Sequence, residues 1–169
     1  MLANVDSSDG SGAPDALEGV RIATSRCQRN NPASRRGWDI GTLRSADFDG
    51  NRISTFRYRI AVPSNIVQSE VKVALAWDGE VQEITLPLAD PILISSTLTV
   101  DLDLLVTNSS GSLVGNSSSW DNSYEIAEFS AAPGTYDIRI RRWSGTNDTW
   151  YGVAWTVTGV EILPPIPVD

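Results

Sequence analysis

Much of the chain consists of short segments in which apolar and polar residues alternate, and this period of two is typical of strands that bury one face. The alternation is clearest in STFRYRIAV, VKVALAW, YDIRIRRW and WYGVAWTVTGV. The predicted inward-facing residues are Phe56, Tyr58, Ile60, Val62, Val71, Val73, Leu75, Trp77, Tyr136, Ile138, Ile140, Tyr151, Val153, Trp155 and Val157. In STFRYRIAV and YDIRIRRW arginines occupy opposite positions, so these two segments predict strands with one polar face.

Turn signals separate these segments at the intervals that short antiparallel strands require. They are Asp49-Gly50, Asp78-Gly79, Ser110-Gly111, Pro133-Gly134 and Ser144-Gly145. Further strands are expected near 84–88, 97–106, 112–115 and 125–129. We therefore predict an all-β fold, a jelly-roll-like antiparallel β-sandwich of about seven to nine strands with one N-terminal helix.

The N-terminal part follows a helical pattern instead. The segment APDALEGVRIATSRC predicts a helix with Pro14 in its first turn and an apolar stripe that needs a packing partner, formed by Ala16, Leu17, Val20 and Ala23. We expect residues 1–36 to form a loop, this helix and a linker, and residues 37–160 to form the sandwich. Residues 161–169 are expected to be an extended, Pro-rich tail.

The residue types that the chain lacks exclude several kinds of chemistry. There is no histidine, so the chain cannot assemble a Ser-His-Asp or Cys-His unit or a histidine zinc site. Cys27 is the single cysteine, so no intrachain disulfide or multi-thiolate site can form. The net charge of −8 argues against nucleic-acid binding. We also expect no membrane span, because no apolar run approaches the required length of about 18–20 residues. No secretory signal is expected in this chain, because its N-terminus lacks a basic segment followed by an apolar stretch.

Acidic residues are concentrated in one half of the sandwich, where Glu70 to Glu128 contains ten of them against one lysine. Asp101 and Asp103 share one face of a predicted strand, about 7 Å apart, and Asp121 and Glu125 follow in a loop that enters the next strand. A hairpin-like return would bring the four carboxylates together as oxygen ligands for Ca²⁺. The alternative is an acidic face that is solvated or paired with Arg139 and Arg141.

Two other features have competing interpretations. The segment DFDGN, residues 47–51, is either a tight turn or a second oxygen-rich loop. Trp120, Trp143 and Trp150 fall in predicted loops, where they either stack on sugars or peptides or plug the ends of the sandwich.

The ordered set VKVALAWD, LTVDLDLLV, SSWDNSYEIAEF, PGTYDIRIRRW and WYGVAWTV, which covers about Gly37 to Val160, resembles a known kind of domain. It is similar to the β-sandwich that follows the catalytic domain in many bacterial subtilisin-like serine peptidases, in the style of pre-peptidase C-terminal domains. The segment GSGAPDALEGVRIA resembles the last helix of such a catalytic domain. The catalytic Asp, His and Ser of that family have no counterparts in the chain.

The resemblance implies a secreted, non-catalytic accessory domain that packs on the catalytic domain of its parent peptidase, stabilises it and helps to bind protein substrate. Calcium sites are common in and around such domains. The fragment is then expected to be a monomer or weak dimer with no enzymatic activity of its own. A carbohydrate- or surface-binding β-sandwich module is the main alternative. An enzyme that uses two carboxylates, as in glycoside hydrolysis, is a further one.

Overall fold

Two antiparallel four-stranded sheets pack face to face in the computed structural model, which describes residues 15–84 and 92–162. The elements are α1 Ala16–Ala23, β1 Arg36–Leu43, β2 Tyr58–Val62, β3 Ile66–Trp77, β4 Glu80–Ile84, β5 Ile92–Thr97, β6 Asp101–Asn108, β7 Leu113–Ser117, β8 Tyr124–Ser130, β9 Gly134–Ser144 and β10 Thr149–Glu161. The first sheet has the order β1-β10-β3-β8 and the second β2-β9-β6-β7, while β4 and β5 form a separate hairpin. The predicted all-β sandwich with one helix is confirmed.

The core lies between the two sheets and is built from the alternating residues that the sequence predicted. Ile60, Val73, Ile138 and Val157 have no measurable exposure, and Trp155 has 1%. Gly37 in β1 packs against the indole of Trp155, and a Cβ there would lie 2.4 Å from its ring carbon. Burial of these faces on both sheets is the main favourable contribution to folding.

Two predicted strands have different limits in the structure. The strand expected at 97–106 is divided, because β5 ends at Thr97 and β6 begins at Asp101. The strand expected at 84–88 is β4, which ends at Ile84, and residues 85–91 lie outside the described part of the chain. The tail from 163 onward and Pro14 also lie outside it.

Helix α1 begins after Asp15, whose side chain accepts a hydrogen bond from the Glu18 amide, and it is shorter than predicted. The helix contacts β1 and β10 through a polar residue, since Glu18 is buried while Leu17 and Val20 are 62% and 63% exposed. The apolar stripe therefore stays uncovered. No helix in the described ranges is long and apolar enough to span a bilayer.

Candidate functional site

The acidic pair predicted from the sequence lies at the start of β6. Leu102 and Leu104 point into the core, so Asp101 and Asp103 share the opposite face of the second sheet. This alternation is as predicted. Both carboxylates are nevertheless buried, with 8% and 3% of their surface exposed, so they do not form a solvated face.

Asp103 is held by an ion pair across the sheet. Arg141 on β9 lies opposite Asp103 in the strand register, and its Nε donates to Asp103 Oδ2 at 2.6 Å. Of the two arginines expected as partners, Arg139 instead donates to the backbone carbonyl of Ser54. Arg141 therefore neutralises one carboxylate directly, by a charge-assisted hydrogen bond.

Among the described residues, no arginine or lysine forms an ion pair with Asp101. Its Oδ1 is buried and accepts no hydrogen bond from the described residues. Burial raises the pKa of Asp101, and the neighbouring charge of Asp103 raises it further, while Arg141 opposes both effects. An orphaned carboxylate oxygen in a buried position indicates that this end of the sandwich is suited to binding a cation or a hydrogen-bond donor.

Glu125 brings a third carboxylate from the first sheet. It lies on β8 with 1% of its surface exposed and accepts hydrogen bonds from the Ser117 hydroxyl and, at 2.5 Å, from the Ser119 amide. Burial raises its pKa, those two hydrogen bonds lower it, and the charges of Asp103 and Asp101 raise it again. The three carboxylates thus act on one another electrostatically.

Asp121, the fourth predicted ligand, is exposed in the loop between β7 and β8. Its Oδ1 accepts from the Ser119 hydroxyl at 2.6 Å, and the Asn122 amide donates to the same hydroxyl at 3.0 Å. Within residues 15–84 and 92–162, no three His, Cys, Asp or Glu side chains are grouped as metal ligands. The structure therefore places Asp101, Asp103 and Glu125 within electrostatic range of one another, without grouping them as ligands, and leaves Asp121 exposed.

A cavity of about 280 Å³ opens beside the acidic pair. Its lining residues are Asp101, Asp103, Ser118, Ser119, Trp120, Arg141 and Trp143. Trp120 is 85% exposed, and the Arg141 guanidinium lies over the ring of Trp143 at 5.0 Å from its centroid. The lining contains two carboxylates and one arginine, which give it a formal charge of −1, and Glu125 adds a further negative charge nearby when it is ionised. This arrangement suits a cation or the hydroxyl groups of a sugar.

The structure corrects the placement of two tryptophans. Trp143 and Trp150 lie on β9 and β10, and both are more than half exposed, so they do not plug the ends of the sandwich. Only Trp120 lies in a loop as predicted. In DFDGN, Asp49 Oδ1 accepts from the amides of Asn51 and Ile53, which is the tight-turn arrangement.

The sequence did not predict an apolar surface on the outer face of the first sheet. Ile40, Gly152, Ala76 and Tyr124 are aligned across its four strands, with the large residues on the edge strands and the small ones between. Trp150 stands beside this row, and a shallow groove of about 380 Å³ runs over the small residues. The sequence carried part of this signal, because Ala76, Trp150 and Gly152 alternate with the predicted inward-facing residues of their strands.

Comparison with solved structures finds similar folds, of which one is the following. The chain resembles the pre-peptidase C-terminal domain of a collagenase from Bacillus anthracis with 13% sequence identity and a TM-score of 0.46, over 76% of this chain and 99% of that one. No family model matches the chain. No curated protein matches it either.

Proposed function

We propose that this chain is a non-catalytic accessory domain of a peptidase, and more specifically of a secreted, subtilisin-like serine peptidase. The observation that carries the proposal is the outer face of the first sheet, called here the apolar face: Ile40, Ala76, Tyr124, Ile126, Trp150 and Gly152. Its four large residues are 40–59% exposed. A contiguous apolar surface on a folded domain marks a contact site.

The position of α1 supports a neighbouring domain as the partner of the apolar face. The helix lies on the same side of the first sheet, where Glu18 bonds to Arg36 and Thr156 and the Trp38 indole donates to the Ala23 carbonyl. A catalytic domain that precedes residues 1–36 would therefore reach the sandwich on this side. The exposed Leu17 and Val20 belong to the same contact.

The residue types of the chain do not support catalysis by the chain itself. Histidine is absent from the full sequence, so a histidine general base cannot be supplied. The mechanism of an accessory domain is thermodynamic, because contacts made only by the folded state stabilise both partners. The contact would also orient protein substrate near the catalytic domain. The free chain is expected to be a monomer or weak dimer.

The test of this role uses the full-length polypeptide that carries the domain. Trp150→Ser with Tyr124→Ser should lower the thermal midpoint of the catalytic domain while the isolated sandwich keeps its own midpoint. Leu113→Ser, which changes an exposed leucine on the second sheet, is the matched control. If the catalytic domain has the same thermal midpoint in the double variant and in Leu113→Ser, the apolar face is not part of the interface. Hydrolysis of casein by the isolated chain would contradict the non-catalytic assignment.

Calcium dependence is the second part of the proposal. Asp101, Asp103 and Glu125 would supply carboxylate oxygens, the loop that contains Asp121 would supply backbone or side-chain oxygens, and bound Ca²⁺ would offset the mutual repulsion of the carboxylates. The unpartnered Asp101 Oδ1 supports this fit. No three ligands are grouped among the described residues, so this proposal requires the loop that contains Asp121 to move closer to Asp101 and Asp103 when the ion binds.

Thermal unfolding measures this dependence. Calcium at a hundredfold excess over its dissociation constant should stabilise the fold by about 2.7 kcal/mol, which raises the midpoint by about 5–10 °C relative to a chelator. Asp101→Asn should abolish the increase, whereas Asp78→Asn, at an exposed aspartate, should preserve it. A midpoint that is the same in calcium and in chelator contradicts the site.

The carbohydrate- or surface-binding alternative is favoured by one observation. Trp120 and Trp143 are exposed and line the acidic cavity together, as aromatic and carboxylate groups do when they hold a sugar. Trp150 lies on the other sheet, so the three tryptophans do not form one row. Glycan binding that is lost in Trp143→Ala and retained in Trp150→Ala would support this alternative over the accessory role.

A further inference from the structure

A buried arginine, Arg142, lies at the end of the sandwich where β9 meets β10, and no carboxylate in the described part of the chain pairs with it. In β9, Tyr136, Ile138 and Ile140 point into the core, and Arg142 occupies the next position of the same face. It is 5% exposed. A guanidinium in an apolar position is costly unless its charge is paired and its donors are used.

The contacts of Arg142 with the described residues neither pair its charge nor use all of its hydrogen-bond donors. Its Nη1 donates to Ser45 Oγ at 3.4 Å and its Nη2 to the Leu43 carbonyl at 3.5 Å, which are both long hydrogen bonds. Its Nε is buried and has no partner among the described residues. The guanidinium stacks on the Phe48 ring at 4.4 Å from its centroid, which holds the group in place without neutralising it.

The two carboxylates whose charges act on Arg142 are paired with other arginines. Asp47 pairs with Arg29 at 3.2 Å and Asp148 with Arg44 at 3.5 Å. Their charges raise the pKa of Arg142, but burial lowers it by more. Within the described ranges no carboxylate forms an ion pair with Arg142, although the chain as a whole is acidic.

A cavity of about 260 Å³ opens beside this guanidinium, lined by Ser45, Phe48, Asp49, Arg52, Arg142, Gly145 and Thr146. Arg52 adds a second positive charge, and Asp49 uses one carboxylate oxygen to accept two backbone amides. The wall is preorganised at Gly145, which has φ of +82° and no room for a side chain, since a Cβ would lie 2.1 Å from the Thr99 carbonyl oxygen.

We infer that this cavity binds a carboxylate group, with Arg142 as its principal partner and Arg52 as the second. The planar guanidinium matches a carboxylate in two parallel hydrogen bonds. A singly charged group suits the lining, because Asp49 and the net charge of −8 oppose a phosphate dianion. The carboxylate is supplied either by the C-terminus of a peptide or by a small organic acid. The inference is independent of the accessory role.

Nuclear magnetic resonance on the intact chain tests the site through the backbone amides of Gly145 and Thr146. Acetate, at ionic strength held constant with chloride, should shift both amides to saturation, and neutral acetamide should not. Arg142→Gln should weaken acetate binding at least about tenfold, and Arg52→Gln should weaken it by less without disturbing the core. Arg59→Gln, an arginine paired with Asp137, is the control with unchanged binding.

Short peptides with free and with amidated C-termini distinguish the two sources. If the peptide with a free C-terminus binds more tightly than acetate, the natural ligand of the cavity is a peptide C-terminus. If the two bind equally, the ligand is a small organic acid. Either result supports the site. The inference is overturned if acetate causes no saturable shift, if acetamide causes the same one, or if Arg142→Gln and Arg52→Gln bind acetate as the unaltered chain does.

Discussion

Tyr58 joins the two sheets through a buried chain of polar groups. Its hydroxyl donates to Asp39 Oδ2 at 3.0 Å and lies 2.5 Å from the Tyr151 hydroxyl, which accepts from Arg29 Nε at 2.8 Å. Burial, followed by the contacts with Tyr151 and Asp39, raises the pKa of Tyr58, so its hydroxyl stays protonated and available as a donor. The carboxylate of Asp39 and the guanidinium of Arg29 are thus the two ends of a chain of hydrogen bonds between the sheets.

Tyr58→Phe should therefore destabilise the fold by about 1–3 kcal/mol, because it leaves Asp39 with one donor fewer in a buried position. Chemical denaturation at neutral pH measures the change. Tyr136→Phe is the matched control, since the Tyr136 hydroxyl donates to a single backbone carbonyl at the edge of the core. An equal loss in the free energy of unfolding in both variants would show that this chain of hydrogen bonds contributes no more than one ordinary hydrogen bond.

The acidic cavity predicts a specific dependence of stability on pH. The pKa of Asp101 is raised in the folded state, so ionisation of Asp101 costs stability above that pKa, and the cost disappears as the pH falls below its ordinary value of 3.8. In chelator, Asp101→Asn should accordingly stabilise the fold at pH 7 and have a smaller effect at pH 3. Denaturation curves at the two pH values measure the difference, and a loss of stability at pH 7 would contradict the assignment.

At the scale of elements, α1 docks on the first sheet through a carboxylate rather than an apolar stripe. Glu18 accepts from Thr156 and Arg36 across the interface and from Arg21 within the helix. Burial raises the pKa of Glu18, but these three bonds together outweigh it and the net pKa is lowered. Ionised Glu18 therefore contributes stability above pH 4.5, which is lost as the pH falls through its folded-state pKa.

Glu18→Gln should loosen the helix without unfolding the sandwich, at a cost of about 1.5–3 kcal/mol to helix docking. Amide hydrogen exchange provides the measurement, because protection should fall in residues 16–23 and persist in β10. Glu70→Gln, at an exposed position of the same sheet, is expected to leave the exchange pattern unchanged. Uniform loss of protection across the sandwich would mean that α1 and the sheets unfold as one unit.

The inner faces of the strands were predictable because alternation is a local property of the sequence. The polar residues that point inward were not, since the partners of Asp39, Glu125 and Arg142 are distant in sequence or come from the other sheet. The break between β5 and β6 was also hidden, because the segment STLTVD contains no Gly or Pro. For the candidate site, the sequence identified the carboxylates but not their burial or the orphaned oxygen of Asp101.

At the scale of the whole molecule, both sheets contribute to one core, so neither can lose its partner and remain folded. Unfolding should therefore be a single cooperative transition. Tryptophan fluorescence, which reports on the buried Trp77 and Trp155, and far-ultraviolet circular dichroism should give the same midpoint in urea. Two separated transitions would show that part of the sandwich, or the β4–β5 hairpin, unfolds independently.

The hydrogen bond from Ser117 to Glu125 has a consequence for behaviour at high concentration. It ties β7 to β8, which are edge strands of opposite sheets and lie beside each other. An untied edge strand offers its free amides and carbonyls to other molecules, which is a common route to fibrils. The buried glutamate therefore holds the two edge strands against each other, which limits the access of other molecules to them.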